Sequence, residues 1–179
     1  MPASQSKDKN SINEEQMVNL VRELKNQYDF VLLDCPAGIE QGFKNAIAGA
    51  DEAIVICTPE VSSVRDADRV IGLMAASEIG RISLVVNRIK PDLIRSGDML
   101  SLEDVEDILG QKAIGAVLDD AAIVKATNLG EAVVNMPTSK AGKAYENIAK
   151  RLMGENIPIN LNNPITAIID KLFLKKSAV

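Results

Sequence analysis

Short apolar runs alternate with helical patterns along most of this 179-residue chain. Residues 30–33, 53–57, 82–86 and 114–118 are mostly apolar runs, each of a length typical of a buried strand. Apolar residues recur at helical spacing in 12–27, 39–48, 63–77, 102–109, 120–129 and 139–153. This alternation predicts an α/β fold with a doubly wound, mostly parallel sheet and flanking helices.

Polar residues and glycines predict where several of these helices begin and end. Ser62 or Ser63 is expected to cap the helix that follows the second strand. Ser101, with Asp104 three residues later, forms the pattern of a capping box. Gly130 is expected to end the helix after the fourth strand, because glycine readily adopts the left-handed conformation of a C-cap.

The end of the chain differs in character from the rest. The pattern predicts a domain over 1–154, a linker over 155–163 and a separate amphipathic tail over 164–179. The stretch ENIPINLNNP, residues 155–164, is polar and interrupted by two prolines, which is typical of a linker. At 100° per residue the apolar side chains of the tail share one arc, with lysines at its flanks. These residues are Ile165, Ile168, Ile169, Leu172 and Phe173, flanked by Lys171 and Lys175. Such a helix suits an anionic membrane surface, and the alternative is a terminal helix packed on the domain's own core.

Composition excludes several classes of site. A net charge of −5 argues against a nucleic-acid binder that works by neutralising phosphates. The absence of histidine excludes Ser-His and Cys-His nucleophile pairs and any histidine-ligated metal. Cys35 and Cys57 lie in or next to apolar runs, which predicts buried free thiols in a reducing, cytoplasmic compartment. Neither a membrane span nor a signal peptide is expected from the hydropathy of the chain.

Three stretches carry candidate binding chemistry at strand ends. Asp34 ends the run FVLLD and Gly38 follows four residues later. An acid at this position can hold a Mg²⁺-bound water, and the glycine can bring a backbone N–H close to a phosphate. The alternative is that Asp34 only caps the next turn. Asn87 ends another strand, where a ligand is commonly bound, although a turn-forming Asn is the alternative. The alternating charges of SSVRDADR indicate either a docking surface or a solvated helix start.

The segments LLDCPAGIE, ADEAIVICTPEVSSVRDADR, VVNRIKP, SGDMLSLEDVEDILG, KATNLGEAV and AGKAYENIAKRLMGE occur in this order. Together they resemble the ParA/MinD family of deviant Walker A P-loop ATPases over essentially the whole chain. The resemblance implies a P-loop NTPase-like fold that uses ATP and Mg²⁺ as a switch in placing the division septum. It implies ATP-driven homodimerisation, peripheral binding to the inner face of the cell membrane, recruitment of the division inhibitor MinC, and stimulation of hydrolysis by MinE.

The resemblance also implies roles for individual residues. Asp34 corresponds to the Walker B acid near Mg²⁺, Gly38 to the switch II glycine near the γ-phosphate, and Asn87 to the side chain that contacts adenine. The membrane-binding face is expected to comprise Ile168, Ile169, Leu172 and Phe173, with Lys171 and Lys175 beside it. The partner-docking surface is expected to include Arg65, Asp66 and Asp68.

One part of the family pattern is missing from this sequence. The phosphate-loop motif G-x-x-x-x-G-K-[ST] does not occur, and the family's switch I aspartate also precedes the matched region. The expectation is therefore a truncated fold corresponding to the C-terminal two-thirds of the family, unable to hydrolyse ATP alone and with no assignable catalytic residue. The alternatives are a non-catalytic, membrane-tethered interaction module, or a related ParA-like or flagellar-number ATPase; charge and tail argue against the DNA binding expected of ParA.

Overall fold

The computed structural model describes residues 12–36 and 38–161. From β1 onward, helices separate the strands as the apolar pattern predicts. The helices are α1 (Glu14–Lys25), α2 (Gln41–Gly49), α3 (Val61–Ala76), α4 (Pro91–Ser96), α5 (Leu102–Leu109), α6 (Ala121–Leu129) and α7 (Lys140–Leu152), with a 3₁₀ turn at Val133–Asn135. The strands are β1 (Glu52–Cys57), β2 (Arg81–Ile89) and β3 (Ala113–Leu118).

The three strands form a parallel sheet in the order β1-β2-β3, which confirms the predicted fold class. Alternate residues of β2 point to opposite faces, so Leu84 and Val86 enter one core and Val85 enters another. Helices α3 and α5 supply the first core, and α7 supplies the second through Ala141 and Ile148. Helices on both faces are what a doubly wound sheet requires.

Local sequence signals predicted some helix ends correctly and others wrongly. The capping box is present, with the Asp104 N–H donating to Ser101 Oγ at 3.0 Å and the Ser101 N–H donating to the Asp104 carboxylate at 2.8 Å. Gly130 ends α6 in the left-handed conformation, with φ of 68°. The prediction that Ser62 or Ser63 caps α3 is wrong, because α3 begins directly after Glu60. The Ser63 hydroxyl instead accepts the Thr58 N–H at 3.0 Å and closes the turn after β1.

The predicted strand over 30–33 is not a strand in the structure. In the described part of the chain, no backbone hydrogen bond joins it to β1 or to another strand. Phe30 is 69% exposed and Leu32 is 85% exposed. An apolar run becomes a strand only when a neighbour completes its hydrogen-bond ladder, and residues 12–36 and 38–161 contain no strand paired with it. The predicted burial of Cys35 is also wrong, because Cys35 follows this unpaired run and is exposed, whereas Cys57 in β1 is buried as expected.

Helix α7 packs closely against the 3₁₀ turn at Val133–Asn135. A Cβ atom built on Gly142 would lie 2.5 Å from the backbone oxygen of Val133, so only glycine fits there without movement. Asp120 ties the start of α7 to the start of α6: its carboxylate accepts from the N–H groups of Ala122 (2.9 Å) and Ala141 (3.1 Å) and from Ser139 Oγ (2.8 Å). These hydrogen bonds, the one from Ala122 first, hold the pKa of Asp120 below its usual range.

Beyond α7 the chain follows the outer side of β3 without regular secondary structure up to residue 161. The Arg151 guanidinium donates to the carbonyl oxygens of Ile114 in β3 (2.9 Å), Ile157 (2.7 Å) and Pro158 (3.0 Å). Ile159 and Leu161 pack against the main core. Across the described residues, no helix has the length and hydropathy needed to cross a bilayer.

Candidate functional site

A groove of about 1160 Å³ lies beside β1. Its lining includes β1 from Glu52 to Ile56, the apolar run over 28–35, and the start of α3 at Ser62, Ser63 and Asp66. Asp34 and Gly38 both line it, so the structure brings together the two residues that the sequence placed four positions apart.

Asp34 is exposed to solvent in the lining of this groove. Its charge acts on the neighbouring thiol: partial desolvation first, and the Asp34 charge second, raise the pKa of Cys35. Among the described residues, no group of three or more acids or cysteines is positioned to hold a metal ion. A single carboxylate suits the way Mg²⁺ is bound with a nucleotide, since phosphate oxygens and water then provide most of its ligands.

Gly38 has a φ of 100°, a conformation that side chains other than glycine rarely adopt. A Cβ atom built on it would meet nothing within 4 Å, so the requirement for glycine is conformational and not a matter of space. The segment between Asp34 and α2 therefore requires glycine at position 38.

Asn87 lies at the carboxyl end of β2 and does not line the groove. Its side-chain oxygen accepts the Arg88 N–H at 2.9 Å, and Arg88 adopts a positive φ of 59°. Asp119, directly after β3, contacts Arg88 at 3.9 Å and Lys90 at 3.4 Å. Because Ile89 pairs with Leu118, these polar groups occupy one edge of the sheet, as the parallel arrangement predicts.

The residues expected to bind a partner are all exposed on the first turns of α3. Arg65, Asp66 and Asp68 point outward, while Val64 and Ala67 between them are buried in the core. Asp66 also lines the groove, so this surface and the groove share a border.

The structure contains site features that the sequence analysis missed. The positive φ of Arg88 and its contact with Asp119 depend on a bulge between β2 and β3, which no local motif reveals. The turn after β1 is closed by Thr58, whose hydroxyl donates to Glu60. In the sequence, the pair of adjacent acids in LDD, residues 118–120, was the signal from which Asp119 could have been identified as a site residue.

The expected membrane-binding residues (Ile168, Ile169, Lys171, Leu172, Phe173 and Lys175) lie outside the described residues.

The chain is similar to septum site-determining proteins over most of its length. A family model described as an AAA domain matches residues 3–79. The MinD protein of Synechocystis is 51% identical over 159 residues, which are 88% of this chain and 60% of that protein. The MinD protein of Bacillus subtilis is 48% identical over 162 residues, which are 90% of this chain and 60% of that protein. The chain thus spans about 60% of the length of these curated relatives.

Solved structures show the same relationship. The MinD cell division protein of Aquifex aeolicus has a TM-score of 0.80 at 44% identity, covering 83% of this chain and 64% of that one. A MinC:MinD complex from the same organism also has a TM-score of 0.80 at 44% identity, with coverages of 84% and 63%. The Pyrococcus horikoshii protein solved with Mg-ADP has a TM-score of 0.70 at 26% identity, with coverages of 78% and 56%.

Proposed function

Because the chain belongs to the MinD family of septum site-determining proteins, we propose that it acts in an ATP-dependent, membrane-associated switch that places the division septum. The observation that carries this proposal is the identity of about half of the residues to MinD proteins across nearly nine-tenths of the chain. The exposed α3 surface and the groove beside β1, which share a border at Asp66, would offer adjoining places for a partner and a ligand.

In this proposal Asp34 orients Mg²⁺, directly or through water, and Gly38 brings backbone close to a terminal phosphate. Asn87 contacts the base from the carboxyl end of β2. ATP with Mg²⁺ would supply the phosphoryl chemistry, while the residues of this chain hold, orient and read the nucleotide. The sequence contains no phosphate-loop motif, so we propose that hydrolysis requires more than this chain provides.

Equilibrium binding of a fluorescent ATP analogue, with and without Mg²⁺, tests the nucleotide part. We expect no saturable Mg²⁺-dependent binding and no ATP turnover by the 179-residue chain alone, because most of the binding free energy for phosphates comes from backbone N–H groups of the absent loop. Saturable binding that Asp34→Ala abolishes and Asp92→Ala retains would contradict this expectation. It would mean that the described residues form a phosphate site themselves.

For the membrane part, we propose that the tail binds an anionic bilayer through Ile168, Ile169, Leu172 and Phe173, with Lys171 and Lys175 contacting lipid headgroups. A MinC-like protein would then dock on Arg65, Asp66 and Asp68, and a MinE-like protein would release the complex. One short helix binds weakly, so a homodimer with two tails would gain strongly from avidity. The chain would accordingly be peripheral to the inner face of the cell membrane.

Flotation with anionic vesicles and purified MinC tests this arrangement. We expect the chain to float with the vesicles and to carry MinC with it, and Phe173→Asp to weaken vesicle binding about tenfold through lost burial of the ring. The matched control is Phe30→Asp, the same substitution at a 69%-exposed position of the domain, which should float normally. Equal flotation of both variants would contradict a membrane role for the tail.

A further inference from the structure

Positive charge in this chain is concentrated towards its C-terminal end. The chain carries −5 overall, but residues 139–179 contain seven lysines and arginines against three acids, a net charge of +4. The first 138 residues contain 13 against 22, a net charge of −9. Such an asymmetry is typical of a protein that presents one basic side to an anionic surface. Only part of it belongs to the predicted tail, because residues 139–161 alone carry +2.

Helix α7 arranges its lysines as a stripe along one side. At about 100° per residue, Lys140, Lys143 and Lys150 lie within an arc of about 80°. The helix buries Ala141 and Ile148 against the sheet on a different side, whereas Lys140 and Lys143 are exposed. Ten helical residues separate Lys140 from Lys150, so this lysine stripe is about 15 Å long.

The acid beside the lysine stripe leaves most of its charge in place. Glu146 accepts hydrogen bonds from Lys143 at 2.8 Å and from Lys150 at 2.6 Å, which lower its pKa to about 2. Glu146 is therefore ionised and offsets one of these two lysines. Arg151 adds a further charge, because the groups that accept its hydrogen bonds are neutral carbonyl oxygens.

A small cavity lies beside the lysine stripe, at the place where the described chain ends. It measures about 250 Å³, and its lining includes Lys140, Lys143, Asn147 and Arg151 of α7 and residues 159–161. Pockets for drug-sized ligands are larger, at roughly 300–1000 Å³. The size and the cationic donors of this cavity suit an ion-sized anionic group such as a phosphate. Leu161 is the last described residue, so the segment that leads to the predicted tail starts next to the stripe.

We propose that the lysine stripe of α7 is a second membrane-contact site, which binds the phosphate groups of anionic lipids while the tail attaches the chain to a bilayer. This inference rests on the membrane attachment proposed above, and it adds the domain itself to the surface that contacts lipid. The predicted tail begins three residues after Leu161, a distance of at most about 11 Å. A bilayer that binds the tail is therefore held near the stripe, where the attraction between lysines and anionic lipids acts over about 8–10 Å.

Amine-reactive footprinting of the full chain tests this contact. The chain is acetylated free in solution and in the presence of vesicles of phosphatidylglycerol and phosphatidylcholine, and mass spectrometry measures the labelling rate of each lysine. We expect vesicles to slow the labelling of Lys140, Lys143 and Lys150, because a bilayer would cover their amino groups. Lys25 in α1 and Lys44 in α2 should be labelled at the same rate with and without vesicles.

The tail lysines report on the membrane attachment in the same spectra, so the two proposals can fail separately. Slower labelling of Lys171, Lys175 and Lys176 with unchanged labelling of α7 would overturn the lysine-stripe contact and leave the attachment intact. Unchanged labelling of both segments would contradict both proposals, and slower labelling of α7 alone would support the contact against the tail. Equal slowing by duplex DNA or by soluble glycerol phosphate, at matched phosphate concentration, would overturn the assignment to a bilayer.

Matched double substitutions measure the contribution of the contact. Lys140→Gln together with Lys143→Gln should weaken binding to anionic vesicles about tenfold, and the loss should disappear at about 1 M salt. Lys25→Gln together with Lys44→Gln makes the same change in net charge and also removes one lysine that is paired with an acid, Asp51. This control should weaken binding no more than about twofold, because its charges lie away from the stripe and are screened. Equal losses in the two double variants, or a loss that persists at high salt, would overturn the proposal.

Discussion

Leu84→Ala is expected to lower the free energy of unfolding by about 2–5 kcal/mol, a large part of the roughly 5–15 kcal/mol available to a typical domain. Leu84 is fully buried in the central strand, where it pairs with Val55 on one side and Ala113 on the other. Truncation removes its transfer free energy and leaves a cavity that the two neighbouring strands restrict from closing. Chemical denaturation of the full chain, followed by circular dichroism, measures the loss.

The control is Leu129→Ala, the same change at a 60%-exposed position at the end of α6. It should alter the free energy of unfolding by no more than about 0.5 kcal/mol, because little area returns to water and both residues favour helix. Similar losses at the two positions would show that the sheet centre is not the core of the domain.

Gly142→Ala is expected to destabilise the chain although alanine favours helix more than glycine does. The new methyl group would lie 2.5 Å from the backbone oxygen of Val133 and 3.2 Å from its carbonyl carbon. Backbone atoms cannot rotate aside as a side chain can, so α7 or the 3₁₀ turn must shift, at a cost of about 1–3 kcal/mol. The thermal unfolding midpoint of the variant should therefore fall.

Gly72→Ala, inside α3, provides a comparison with the opposite sign. A Cβ atom there meets nothing within 4 Å outside its own helix, so the substitution should stabilise the chain by about 0.5–1 kcal/mol through helix propensity. The two glycine variants should thus differ by about 1.5–4 kcal/mol. Equal effects would mean that α7 does not pack against the Val133–Asn135 turn as described.

The sequence predicted those parts of the fold whose determinants are local. The capping box at Ser101 and the stop at Gly130 depend on residues within a few positions of each other, and both are confirmed. Helix α4 was missed, although Pro91 at its first position and Gly97 at its end are ordinary signals for a short helix. The hydroxyl of Ser63 has several local partners available, and its sequence does not decide between a helix cap and the turn to Thr58.

Prediction failed where pairing decides the structure. The run over 30–33 has the composition of a buried strand, but a strand requires a neighbour, and composition does not reveal whether one is present. Asp34 and Gly38 are close in sequence, so their shared position in the groove was predictable. The environment of Asn87 was not, because the contact of Arg88 with Asp119 joins two strand ends that are distant in sequence.

The hydrogen bonds of the Arg151 guanidinium shorten the free stretch of chain between the domain and the predicted tail. Arg151 donates to the carbonyl groups of Ile157 and Pro158, and Leu161 packs on the core, so the segment from Ile157 to Leu161 is held against the domain. The chain from Leu161 to Ile165 reaches at most about 14 Å. A surface bound at Ile165 therefore meets the β3 side of the domain, and the groove beside β1 lies about two strand spacings, or about 10 Å, further away. The proposed attachment through so short a connection would restrict the orientation of the domain as well as its location.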